Sequence, residues 1–107
     1  MKSYQGDRIG SAVVVTVDGR PLNPRTDLWN HSPSGLEWGY CGSGPAQLAL
    51  ALLADHLGND QEALNLYQRF KWQVVAGFPF RGWKLSSAEI DEAIEDIQLA
   101  AIEGGST

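Results

Sequence analysis

His31 and Glu37 are the first pair in this chain that could do chemistry. An imidazole beside a carboxylate can take and return a proton near neutral pH. Ser32, Ser34 and Ser43 stand close by, and a hydroxyl activated by such a pair would carry acyl or phosphoryl transfer. No nucleophile-elbow spacing surrounds any of these serines, so nothing fixes the geometry. The plainer expectation is a loop histidine bonded to backbone. Glu37 would then sit on the solvent face of a strand, pairing with Arg20 or Arg25.

A second chemistry needs no proton transfer. Gly42-Ser43-Gly44 runs directly into an apolar stretch, and a helix starting there would present unpaired N–H groups to an anion. The expected donors are Ala46, Gln47 and Leu48. The Ser43 hydroxyl would add a contact, the Gln47 amide would read a polar ligand edge, and Tyr40 would wall the site. No Walker lysine follows, and the glycine spacing of dinucleotide folds is absent. The bland counterpart is that the glycines only permit a tight turn into the helix.

Two other candidates are thinner. Asp55 and His56, with His31, are metal-ligand types. Adjacent helical residues diverge by about 100°, so the first two do not form a one-face pair. We therefore expect no metal and no cofactor. Cys41 precedes a helix start, which can lower a thiol pKa, yet a lone cysteine is more often inert. It also excludes an internal disulfide.

The remaining candidates suit contact with another molecule. Trp29, Phe78, Phe80 and Trp83 fall in expected loops, where aromatics serve as partner anchors or pocket walls unless they pack beneath the loops. Arg81 and Lys84 beside Trp83 add cations for an acidic or nucleotide ligand. Residues 89–107 carry six acids and no base, whereas residues 1–88 carry eight bases and seven acids. Glu89, Glu92 and Asp96 could imitate a phosphate row and occupy a host protein's nucleic-acid groove, or simply keep the chain soluble. Direct nucleic-acid binding by that end is disfavoured, because phosphate contacts need cations.

These residues need elements to position them. Tyr4–Ile9 and Ser11–Val17 read as strands, the second with Val13, Val15 and Val17 on one face. Asp18-Gly19 suits a two-residue hairpin turn, and Pro21 and Pro24 keep the return strand short, making residues 1–24 a hairpin region. Residues 25–35 read as loop and 36–40 as a strand. Helices are expected over about 45–57, 60–76 and 87–103. Pro45 fits the first helical position, Gly58 a C-terminal stop, Asn59 an N-cap, and Ser86 to Glu89 a capping box. The first helix is apolar all round and so central and buried. Ala63, Tyr67, Phe70 and Val74 would face inward from the second, and Ile90, Ile94, Ile97 and Ala101 from the third. The sum is one α+β domain, a small antiparallel sheet packed on about three helices.

With 107 residues, 43% hydrophobic, the chain can build one core without staples. It has no signal-like leader and no apolar run long enough to span a bilayer, so a cytoplasmic protein is expected.

Three segments carry a resemblance. They are His31-Ser-Pro-Ser-Gly-Leu-Glu-Trp-Gly-Tyr40, Gly42-Ser-Gly-Pro-Ala-Gln-Leu-Ala-Leu-Ala-Leu-Leu-Ala-Asp-His-Leu57 and Tyr67-Gln-Arg-Phe-Lys-Trp-Gln-Val-Val75. The chain resembles a family of small bacterial proteins, also found on phages and plasmids and classed as a domain of unknown function. That pattern has glycine at the place of Cys41, which counts against a catalytic cysteine. The resemblance implies a mobile-element setting, in which short proteins bind and block host machinery such as defence systems.

The expectation is a non-enzymatic interaction protein, a monomer or homodimer. It would contact a host protein or complex through residues 31–44 and the acidic third helix. The alternative is a phosphate-bearing small ligand at Gly42–Gly44, held as a sponge or weakly hydrolysed.

Overall fold

The computed structural model describes residues 1–32 and 35–105. Its element order is β1 (Ser3–Ile9), β2 (Ala12–Val17), β3 (Arg20–Pro21), α1 (Ser43–Leu57), α2 (Asp60–Gln73), a 3₁₀ turn (Val75–Gly77), β4 (Gly82–Ser86) and α3 (Ser87–Gly105). The four strands form one antiparallel sheet in the order β3-β2-β1-β4. The fold is α+β, as the patterning implies.

Each element has a local cause. Gly10 (φ 63°) with Ser11 turns β1 into β2, and Asp18 (φ 50°) with Gly19 (φ 81°) turns β2 into β3. Tyr4 is opposite Val17 and Gly6 opposite Val15, so the valine face of β2 meets the tyrosine face of β1. Val15 and Val17 are buried from it, and Val13 is packed at its edge. Trp83 and Leu85 extend that face from β4.

α1 lies beneath the sheet and is buried on every side from Gly44 to Ala54. Gly58, at φ 63°, ends it by donating its N–H to Ala54 O. Asn59 caps α2 by accepting from Glu62 N at 3.1 Å. Ala63, Tyr67 and Phe70 turn inward from α2, whereas Val74 is half-buried and the adjacent Val75 completes the core. Ser86 and Glu89 form the reciprocal capping box at the start of α3 (3.0 and 3.2 Å). Ile90, Ile94 and Ile97 close the core from that helix, but Ala101 is exposed because α3 runs on past its neighbours.

Residues 36–40, expected as a strand, are irregular. Gly35 (φ 122°) and Gly39 (φ 87°) adopt conformations that break a ladder. The segment is held through a side chain instead. The indole Nε1 of Trp38 donates to Pro79 O and Phe80 O, both at 3.0 Å. The fourth strand is β4, partly within the stretch expected as an aromatic loop. Among the described residues, no helix is long and apolar enough to cross a membrane.

Candidate functional site

The region from Leu22 to Gly42 carries no strand or helix in its described residues, and the side chain that shapes it is Gln47. Gln47 is on α1, fully buried. Its Oε1 accepts from His31 N (2.8 Å) and Ser32 N (3.3 Å), and its Nε2 donates to Pro24 O at 2.6 Å. Two distant points of the loop are thereby tied to the core helix. The amide expected to read a ligand edge is committed to backbone.

Above this tie lies a cleft of about 420 Å³ lined by Ser11, Ala12 and Val13 on one side and Ser32, Glu37, Tyr40, Ser43 and Gly44 on the other. It adjoins an apolar cavity of about 270 Å³ walled by Val14, Val15, Pro21, Leu22 and Pro24. Val13, Gly35 and Leu36 line both, so the two form one groove along β2, polar at the Ser11 end and apolar at the Val15 end.

Five of the seven expected ligand residues, Ser32, Glu37, Tyr40, Ser43 and Gly44, therefore come together, and His31 and Gln47 do not line the cleft. His31 turns the other way. Its Nε2 is 2.6 Å from Tyr67 Oη, and its ring stacks on Trp29 at 5.5 Å. Burial, with a smaller effect of Lys71, holds its pKa below the ordinary value. Ser34 lies outside the described residues.

Glu37 pairs with neither Arg20 nor Arg25. Arg8 grips it with both ends of the guanidinium, at 2.6 and 3.0 Å. That fork holds the carboxyl below its usual range. The same guanidinium lies 4.6 Å from the Trp38 ring and 3.9 Å from Phe80, and its Nε donates to Phe80 O at 2.6 Å. Arg8 is the residue that sequence reasoning missed. Its signal was parity: it shares a strand face with Tyr4 and Gly6, and an inward-facing charge needs a partner. Arg25 instead binds Asp27 and Asp60.

α1 begins two residues before Pro45, with Gly42 as an N-cap that offers no side-chain bond. Ala46 N is consequently bonded to Gly42 O at 3.0 Å, and Gln47 and Leu48 sit deeper in the helix. The donors left over at the helix start are Ser43 and Gly44, since Pro45 has no N–H. Gly44 must be glycine: a Cβ there would come within 2.6 Å of Glu37 Cβ.

The structure disperses the remaining candidates. Asp55 binds Tyr4 Oη (2.7 Å) and Lys2 Nζ (3.1 Å), while His56 meets Asp91 at 2.6 Å, so neither joins His31. No cluster of three or more metal-ligating side chains occurs among the described residues. Cys41 is exposed and unpaired. Trp83, expected as an anchor, is 6% exposed, stacked on Phe78 (4.4 Å) and edge-on to Trp38 (5.8 Å). Trp29, Phe80 and Arg81 are exposed, as are Glu89, Glu92 and Asp96 on α3. The His56–Asp91 contact puts the acidic helix start at the C-terminal end of α1, whereas the cleft is at its N-terminal end.

One comparison bears on this arrangement. The sequence profile of a family of unknown function (DUF6166) matches residues 4–96. The chain belongs to this family. No curated protein and no solved structure matches it. The matched span holds the whole sheet from Tyr4, the groove, α1, α2 and the acidic stripe as far as Asp96.

Proposed function

We propose that this protein is a non-enzymatic binding module, carried on a mobile element, that engages a host protein or complex through the groove lined by Ser32, Glu37, Tyr40, Ser43 and Gly44. One observation carries the reading. The groove is open and chemically two-sided, yet its acid is locked to Arg8 and the histidine bonds Tyr67 instead of lining it. A proton-transfer pair is not assembled there, whereas recognition needs only shape, donors and apolar walls. The acidic face of α3 is a second contact surface at the far end of α1, and a cytoplasmic setting fits both.

The test is native mass spectrometry of protein purified gently from its own host. A co-purifying protein that is lost in Ser43→Pro supports the reading. Proline suits the first helical position, so that variant removes a donor and a hydroxyl without ending the helix. Loss of the partner only when Glu89, Glu92 and Asp96 are neutralised moves recognition to α3 and overturns the groove. Turnover of an ester, peptide or nucleotide that disappears in His31→Ala overturns the non-enzymatic reading.

The donors at the polar end favour a second reading. Ser43 N–H, Gly44 N–H and the serine hydroxyls suit a phosphate-bearing small ligand. A co-purifying small mass released on denaturation would support it.

A further inference from the structure

The groove follows a strand edge that lacks a neighbour. Leu22 N donates to Val15 O at 3.0 Å, so the backbone of Val15 faces away from β1. Backbone direction alternates along a strand, so Val13 offers its N–H and C=O to that same side. β3 pairs only with Thr16 and Val17 and ends at Pro21. Among the described residues, no backbone group meets Val13 on that side, although Arg8 lies opposite it on β1. The reason is Gln47, which takes the Pro24 carbonyl and draws the chain down to α1 instead of along β2. An open edge of this kind is a template for one more strand.

The polar end of the groove adds a terminus-binding feature. Ser32 is 7% exposed, lines the cleft, and its hydroxyl has no hydrogen-bond partner among the described residues. It faces the same cleft as Ser43 and Gly44, whose N–H groups stand at the positive end of a fifteen-residue helix. The charge of Glu37 is offset by Arg8. Donors at the open end of a helix complement an anion. The apolar walls that continue from them complement aliphatic side chains.

We infer that the groove takes the free C-terminus of a partner protein as an added strand, antiparallel to β2. This rests on the groove being the recognition surface. The terminal carboxylate sits on Ser43 N–H, Gly44 N–H and the Ser32 hydroxyl. The preceding residues pair with Val13 and direct alternate apolar side chains toward Leu36, Pro21 and Leu22. The edge left free by Leu22 runs from Val14 back to Ser11, about 10 Å at ~3.3 Å per residue, room for about three residues. Proline is excluded at the position whose N–H must donate to Val13 O, because it has no backbone N–H.

The test uses the full chain and a pooled library of five-residue peptides with free C-termini, beside the same library amidated. The expected result is enrichment of aliphatic sequences from the acid pool. Affinity for an enriched peptide should fall at least tenfold on amidation and in Ser43→Pro. Amide exchange at Val13 should slow at least tenfold when that peptide binds, a readout that needs no variant. Equal retention of acid and amide, or no protection at Val13, overturns the inference. So does a shift of the Ser43 and Gly44 resonances by inorganic phosphate with no peptide enriched. If no peptide is enriched while a host protein is still lost in Ser43→Pro, the strand inference fails and the groove reading stands. If neither occurs, both fail.

Discussion

Arg8 and Glu37 show how much of this molecule depends on single side chains. The Arg8 side chain is 16% exposed and that of Glu37 33%, between the surface and buried limits for an ion pair. Removing one partner strands the other, so Glu37→Gln should destabilise the fold by about 2 kcal/mol in urea unfolding. Arg8→Lys should not restore it, because an ammonium cannot make the two-point fork. The depressed carboxyl also sets a direction with pH. Its contribution is present above the ordinary carboxylate range and disappears as pH falls through the folded pKa, so Glu37→Gln should flatten the acid limb. His31 behaves in the same sense for a different reason. Burial first, and then Lys71, hold it below the ordinary 6.5, so the unfolded chain binds more protons just below that value. Stability should be complete above pH 6.5 and decline as pH falls through the folded pKa. Proton NMR titration of the His31 ring checks the shift. A midpoint at or above 6.5 would contradict the buried Tyr67 contact as the resting state.

Legibility differs sharply among elements, and the cause is whether a signal is local. The Ser86 to Glu89 capping box is written in four adjacent residues and forms as read. Ser86→Ala should therefore cost about 1 kcal/mol, seen as a lowered Tm with little change in the groove. Asn59 and Gly58 were equally local. The Leu36–Tyr40 alternation was local too, but it misled. Its Trp38 answers to Pro79 and Phe80, some forty positions away, and two glycines turn the backbone off the strand path. β4 was concealed by the opposite effect. Five residues abut the capping box without a turn between them, and pairing with Gly6 and Tyr4 supplies what length does not. Trp83 could pass for a surface anchor because its burial depends on Gly6, which leaves room for the indole on the strand opposite. The start of α1 shifted for a simple reason. Proline tolerates any of the first three helical positions, since none needs its N–H inside the helix.

At the scale of the whole molecule, one buried amide joins the hydrophobic core to the recognition groove. α1 is otherwise apolar, and Gln47 interrupts it at full burial with three bonds to loop backbone. A polar side chain there stabilises nothing that leucine would not, except the positions of Pro24, His31 and Ser32. Those three residues set where β3 leaves the sheet, which way the histidine faces, and where the cleft hydroxyl stands. Leucine at this place matches the volume but leaves one carbonyl and two N–H groups without partners. Gln47→Leu should thus destabilise by about 3 kcal/mol or more, since each buried unpaired backbone group costs about 1–3 kcal/mol unless water reaches it. The loss should also be local. Amide exchange should rise over the described residues from Leu22 to Tyr40 well before it rises in α1 or β1, because the sheet pairings do not pass through Gln47. Uniform exchange across the chain would mean that the groove and the core unfold as one unit. Selective exchange would mean that the rim is a separable layer, and that groove variants can be read as effects on recognition.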